Sequence, residues 1–282
     1  MNAEGPLHRF DFEGRSVAYR VAGKGAPLVL VHGTPFSMHV WHRIAPLLAR
    51  HRTVYRFDLL GYGASAKVEG ADVSLGVQNR VLAALLNHWG IERPDVVAHD
   101  YGGATALRAH LLDGRDYRTL TLIDPVILRP QGSPLVRHVG AFGAEPFAGL
   151  PAYVHEAILR AYLDTASVRT LGDEELQPYL EPWRGEEGQA AFYRQIAQMD
   201  EAYTMAVEPM LDAVRCPVRI LWGEDDRWLQ AEQGVRLAAA IPGATLQPVS
   251  RAGHLVQEDA PEAIVAAVLP LLLGSERSAA AA

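Results

Sequence analysis

The stretch Val96-Val97-Ala98-His99-Asp100-Tyr101-Gly102-Gly103-Ala104-Thr105-Ala106-Leu107 constrains the chain more than any other. An apolar run of strand type passes through small residues into a helical pattern, with Asp100 on the turn between them. A strand that reverses into a helix over so few residues forces the apex residue into a strained backbone, and its neighbours two away on each side must be small. Ala98 and Gly102 meet that demand. A carboxylate at the apex is anionic at neutral pH and attacks without a base to strip a proton first. Attack on an acyl carbon gives a labile anhydride, whereas displacement at a saturated carbon gives an ester that water can open. The competing reading is that Asp100 caps the following helix, a common place for Asp.

Other apolar runs organise the rest. Leu28-Val29-Leu30-Val31 is continuous, like a strand covered on both faces, and ends in His32-Gly33-Thr34-Pro35. Thr53 to Phe57 ends in Asp58 and the turn Gly61-Tyr62-Gly63, and Leu120 to Ile123 in Asp124-Pro125. Val218 to Trp222 runs into Gly223-Glu224-Asp225-Asp226, and Thr245 to Val249 precedes Arg251-Ala252-Gly253-His254. Between them, Trp41, Ile44, Leu47 and Leu48 recur at helical spacing, and Val73 to Trp89 reads as a helix stopped by Gly90. Thr105 to Leu112 and Pro261 to Leu273 are further helices, and Leu7 to Phe12 with Ser16 to Val21 makes an edge hairpin. Alternating strands and helices predict an α/β fold, a mostly parallel sheet of eight strands with helices on both faces, whose carboxyl-end loops converge on one crevice. Asp100, Asp226 and His254 all lie on such loops.

Roughly 80 residues separate the strand before Pro125 from the one after Pro217, too many for a structureless loop. Residues 126–208 are therefore expected to form a helical cap over the crevice, with Tyr153, Ile158, Leu159 and Tyr162, then Phe192, Ile196 and Met199, at helical spacing. Residues 1–125 and 209–275 make the core, and 276–282 a low-complexity, disordered tail.

A chain of 282 residues, 49% hydrophobic, can bury a large core. Its net charge of -7, with Lys and Arg scattered, argues against nucleic acid and anionic membranes as partners. The longest apolar stretch, Ala263 to Leu273, is too short to span a bilayer and contains Pro270. Met1 to Pro6 lacks the basic start and apolar run of a signal peptide, so a cytoplasmic location is expected. The lone Cys216 allows no internal disulfide and reads as packing. His39 and His42 stand three apart on a helix without further ligands nearby, so no metal is expected, nor any cofactor. The expected partner is a small-molecule substrate, and a monomer and a homodimer are both compatible with the sequence.

Four motifs then occur in one order: His32-Gly33-Thr34-Pro35, His99-Asp100-Tyr101-Gly102-Gly103, Trp222-Gly223-Glu224-Asp225-Asp226 and Gly253-His254. In this order the chain resembles the α/β-hydrolase family, from Leu7 to Leu273, as oxyanion loop, nucleophile elbow, acid loop and base loop. The resemblance implies an α/β-hydrolase fold and a triad of Asp100 as nucleophile, His254 as base and Asp226 as acid. Asp124 is the rival acid, since some dehalogenases draw theirs from the preceding strand end. With an Asp nucleophile, the chain is similar to epoxide hydrolases and haloalkane or haloacid dehalogenases.

In that branch the nucleophile forms an alkyl ester that a His-activated water opens. The resemblance implies that the backbone N–H groups of Thr34 and Tyr101 stabilise the resulting oxyanion on Asp100. It also implies lid tyrosines that protonate an epoxide oxygen, because a neutral phenol can donate at pH 7. Tyr193 best matches the second of these, and Tyr153 and Tyr162 compete for the first, with aromatic core filling as the alternative for each. Haloalkane dehalogenases usually hold the halide between two N–H donors, one of them a Trp after the nucleophile. Tyr101 and Thr34 stand at those positions here, leaving Trp183 in the lid. Fluoroacetate dehalogenases carry an Arg after the nucleophile to hold a carboxylate, a task Tyr101 cannot perform. Epoxide hydrolysis is thus the first expectation, dehalogenation the second, and lactone or ester hydrolysis the third. A non-catalytic ligand-binding protein on the same scaffold is the reading from another class.

Overall fold

The apolar runs form strands β1 (Leu7–Phe12), β2 (Arg15–Gly23), β3 (Pro27–Val31), β4 (Thr53–Phe57), β5 (Asp95–His99), β6 (Thr119–Ile123), β7 (Val218–Gly223) and β8 (Thr245–Val249). This computed structural model describes residues 5–280. The strands make one eight-stranded sheet in the order β1-β2-β4-β3-β5-β6-β7-β8. The edge hairpin β1–β2 and the β2–β4 pair are antiparallel, and all pairs beyond are parallel. Every residue of β5 and β6 is buried, as strands covered on both faces require.

From β3 the chain first adds β4 on one side and later β5 on the other, so the loops after β3 and β5 diverge and leave a crevice at the strand ends. Register brings Val31 beside Ala98, which sets the loop starting at His32 against the elbow at Asp100. Helices Leu75–His88, Tyr101–Leu111, Ala231–Ala240 and Pro261–Ala280 flank the sheet. The segment between β6 and β7 carries the inserted helices Pro134–Phe142, Ala152–Asp164, Asp173–Leu180 and Gly185–Ala197, with shorter turns between them.

Some local expectations change. The single helix expected around Trp41 is a 3-10 turn, Met38–Trp41, and a separate turn, Ala45–Leu48, because Pro46 has no N–H to continue the ladder and sits at the start of the second piece. The helix after Asp100 begins at Tyr101, ahead of Thr105. Ala231–Ala240 is helical where the sequence reading names no element. The closing helix is Pro261–Ala280 and takes in 276–280 of the expected tail; 281 and 282, like 1–4, lie outside the described residues. Among the described residues no helix is long and apolar enough to cross a membrane. Cys216 is buried.

Candidate active site

Asp100 holds the strained backbone that the elbow demands, with φ 52° and ψ -121°. A Cβ on Gly102 would lie 2.4 Å from the His32 carbonyl oxygen, and one on Gly33 would lie 2.2 Å from Asp100 Oδ1, so both positions are restricted to glycine by close approach. The Asp100 carboxylate makes no capping bond to the helix that follows it. Its Oδ1 accepts the Thr34 backbone N–H at 2.6 Å instead, which removes the helix-cap reading. Tyr101 is the first residue of that helix, where backbone N–H groups have no intrahelical acceptor.

Asp100 Oδ2 lies 3.3 Å from Nε2 of His254, whose Nδ1 bonds Asp226 Oδ2 at 2.8 Å. The other Asp226 oxygen accepts the N–H groups of Trp228 at 2.7 Å and Leu229 at 3.1 Å, so the acid is clamped by its own loop. All three side chains are buried. Burial alone lowers the proton affinity of His254, but the charges and hydrogen bonds of Asp226 and Asp100 outweigh it and hold the imidazole well above its ordinary value.

Asp124, the rival acid, stands differently. Its Oδ1 accepts the Gly223 N–H at 2.9 Å and its Oδ2 has no partner, so it is Asp226 that meets His254 Nδ1. Burial, and then the charge of Asp226, push the Asp124 carboxyl well above the usual carboxylate range. His99 bonds the His254 carbonyl through Nε2 at 2.9 Å, and burial lowers its pKa to about 3. His99, Asp124 and His254 bring one ligand-type atom each within 4.8 Å of one another. Of that set His99 Nδ1 and Asp124 Oδ2 have no partner, while His254 Nε2 faces the Asp100 carboxylate at 3.3 Å and its Nδ1 is bonded to Asp226.

Thr34, Asp100 and Tyr101 floor a cavity of about 140 Å³. Val126, Val136, Tyr162, Met199, Trp228 and Leu229 also line it, together with the more exposed Gln131, Arg137, Asp200 and Glu201. The Tyr162 ring stacks on Trp228 at 4.3 Å, and Trp228 lies 4.7 Å from the His254 ring. Burial pushes the Tyr162 hydroxyl well above its ordinary pKa, so it is a neutral donor.

The other lid candidates fall elsewhere. Tyr153 is 78% exposed. Tyr193 is fully buried inside the insert, pairs its hydroxyl with His155 Nδ1 at 3.1 Å, and does not line the cavity. Both are thus removed from Asp100, Tyr153 because it faces solvent and Tyr193 because its helix turns it into the packing of the insert. Trp183 donates its indole N–H to the Pro35 carbonyl at 2.7 Å, and Trp228 donates its own to Thr165 at 2.8 Å, leaving neither free to hold an anion. His39 and His42 stack on each other at 4.5 Å, with His42 Nδ1 3.6 Å from Glu258, a packing arrangement.

Sequence reasoning missed Trp228, Tyr62 and Gln195. Trp228 carried a signal, standing two residues beyond Asp226 on the acid loop. Gln195, from helix Gly185–Ala197, accepts the Thr34 hydroxyl at 2.5 Å and the Tyr62 hydroxyl at 2.7 Å, and nothing in its sequence setting distinguishes it. Behind the base loop, Asp259 takes the N–H of Gly253 at 2.8 Å, that of Val168 at 2.9 Å and the Ser167 hydroxyl at 2.5 Å, while Glu258 pairs with Arg169 at 2.8 Å. These two carboxylates fasten the insert to the loop that carries His254.

Residues 28–267 match the model of the alpha/beta hydrolase family. The chain belongs to the α/β-hydrolase family. Among solved structures it is similar to an alpha/beta hydrolase fold protein from Burkholderia ambifaria, 56% identical, with a TM-score of 0.89 over 93% of this chain and 97% of that one. It is 30% identical to a haloalkane dehalogenase from Bradyrhizobium diazoefficiens over 96% of this chain and 95% of that protein. A soluble epoxide hydrolase from a Corynebacterium species is 36% identical over 38% of this chain and 37% of its own length. This α/β-hydrolase is therefore an enzyme related to both haloalkane dehalogenases and epoxide hydrolases.

Proposed function

We propose that this hydrolase opens a small, uncharged, apolar epoxide to a vicinal diol through an Asp100 ester. The observation that carries the reading is that a tyrosine, Tyr162, lines the cavity over Asp100 and its hydroxyl, hydrogen-bonded to Ser133, feels the Asp100 charge, while both nearby indoles have committed their N–H groups to backbone or hydroxyl oxygens. A halide leaving group needs N–H donors, whereas an epoxide oxygen needs a proton. Asp100 Oδ2 attacks a ring carbon, the C–O bond breaks, and the oxygen takes the Tyr162 proton; an alkoxide is basic enough to accept it even from a buried phenol.

Ester formation cancels the charge of Asp100, one of the two carboxylates that hold a proton on His254. Its proton affinity falls, it gives up that proton, which restores the Tyr162 phenol by way of solvent, and the neutral imidazole is then a base when water must be activated. Water attacks Asp100 Cγ and gives a proton to His254, and the oxyanion develops on Oδ1, where the Thr34 N–H already points. Collapse breaks the ester C–O bond, returns a proton to the departing alkoxide and frees the diol. Tyr162 regains its proton over the cycle, so the net reaction is epoxide plus water to diol.

A cavity of about 140 Å³ accommodates a group about the size of benzene. Its buried walls carry no cation for a carboxylate substrate, since Arg137 is exposed. The test is the intact mass of His254→Gln after exposure to matched epoxides and alkyl halides. An epoxide adds its whole mass to Asp100, while a halide adds its mass less the hydrogen halide. Adducts from halides alone would transfer the assignment to dehalogenation, and no adduct on folded protein would turn it toward ester chemistry or a non-catalytic scaffold.

A further inference from the structure

The loop that supplies the Thr34 N–H is gripped from the insert at two consecutive residues. Gln195 Oε1 receives the Thr34 hydroxyl at 2.5 Å, and the Trp183 indole donates to the Pro35 carbonyl at 2.7 Å. The Tyr62 hydroxyl converges on the same Gln195 oxygen at 2.7 Å, filling both of its lone pairs. Gln195 is 1% exposed and its Nε2 has no partner, an arrangement that costs free energy in a buried amide. The core side holds the neighbouring part of the loop, where His32 bonds the Gly33 carbonyl at 2.9 Å and the Leu59 N–H at 2.9 Å. Thr34 itself donates its hydroxyl to the insert at 2.5 Å, has the core's Tyr62 hydroxyl only as a longer contact at 3.3 Å, and aims its N–H at Asp100 Oδ1.

We infer that Gln195 is a positioning residue for the oxyanion hole, acting through Thr34, and that its effect falls on the opening of the Asp100 ester rather than on its formation. The inference rests on the ester mechanism proposed above. Negative charge leaves Asp100 as the alkyl bond forms, so the Thr34 N–H contributes little to that step. Charge then accumulates on Oδ1 when water adds to Cγ, and a donor fixed in advance stabilises it there. A loop free to swing would have to be ordered again at that moment.

When ester opening is slow, kcat and KM fall together and kcat/KM, which is set by ester formation, stays constant. A fault in packing alone lowers the melting temperature without this signature. The variants are Gln195→Met, close in size but without an acceptor, Thr34→Val, which keeps the backbone N–H, and the double variant. Each is mixed with the epoxide that alkylates His254→Gln and quenched for intact mass, so that growth and decay of the ester are timed separately.

The expected result is decay slowed about tenfold in each single variant, a fraction of what losing a whole oxyanion donor costs, with growth unchanged. The double variant should decay no more slowly than either single one, because both remove the same tie. Unchanged decay, growth slowed as much as decay, or additive effects would each overturn the inference. Should Gln195→Met fail to fold, Thr34→Val alone carries the timing test. Failure of the underlying ester mechanism registers separately, as the absence of any adduct on Asp100 in His254→Gln.

Discussion

The floor and the roof of the site are held in place by different means. Asp100, Asp226 and His254 stand on loops at the ends of β5, β7 and β8, and sheet register with backbone N–H groups fixes them: Thr34 on Asp100, and Trp228 and Leu229 on Asp226. Tyr162, Trp183 and Gln195 come from three separate pieces of the insert and are placed by side-chain contacts. A strand-end residue keeps its position as long as the sheet forms, whereas a roof residue depends on how helices with no ladder between them pack. On the proposed reading, the floor sets the class of chemistry and the roof sets which leaving group is served.

That contrast breaks first at the floor. Asp100→Asn should lower turnover by on the order of 10⁴-fold or more, measured by initial rates on an epoxide panel, because Asp100 is the carboxylate that faces both the Thr34 N–H and His254. Asp226→Asn should cost about 10⁴-fold through loss of imidazole orientation, as for the third member of other triads. It should also lower the pH at which ester opening becomes fast, because the carboxylate that raises His254 is gone; quenched ester decay measured against pH checks the sign. A roof variant, Tyr162→Phe, should lose about 10²-fold on epoxides, the range of a single general acid, while an activated alkyl halide that forms an adduct keeps its rate. Equal losses on both substrates would show that Tyr162 shapes the cavity rather than donating a proton.

Two smaller effects sharpen the boundary. Tyr193→Phe should leave kcat within about twofold and remove about 1 kcal/mol of stability with the His155 bond, read from melts and rates. Asp124→Asn should leave activity nearly unchanged and stabilise the protein increasingly as pH rises. The folded-state pKa of Asp124 is raised above its unfolded value of about 3.9, so the native protein keeps a proton that the unfolded chain gives up. Its stabilising contribution is complete below the unfolded pKa and declines as pH rises through the interval up to the folded one; Asn does not titrate. Melting temperatures of the two proteins compared from pH 4 to 8 check this, and a constant difference would contradict it.

Legibility in the sequence follows the same division. The β5 elbow is readable because a tight strand-to-helix reversal restricts positions 98 and 102 to small residues, here Ala98 and Gly102, and steric demands leave marks in composition. Asp226 and His254 were readable from their places after apolar runs. The insert was legible as a set of helices but not as a surface: Tyr153, Tyr162 and Tyr193 all sit in helical patterns, and periodicity does not tell which face packs inward and which toward Asp100. Gln195 left no trace, since its importance comes from meeting Thr34 and Tyr62 across long sequence separations. The pause at Pro46 and the helix Ala231–Ala240 are local misses of the ordinary kind, one from a breaker overlooked inside an apolar pattern and the other from a stretch left unread.

The carboxylate of Asp259 binds Gly253 on one side and Ser167 and Val168 on the other, so the insert cannot be treated as an exchangeable module. A graft of a relative's residues across 126–208 would leave Asp259 with an acceptor surface built for a departed segment, and the disturbance would reach the loop carrying His254. Chimeras that alter leaving-group preference should therefore keep Ser167 to Arg169 and Tyr179 from this chain, or import the residues at 258 and 259 with the donor segment, so that these two carboxylates keep their own partners.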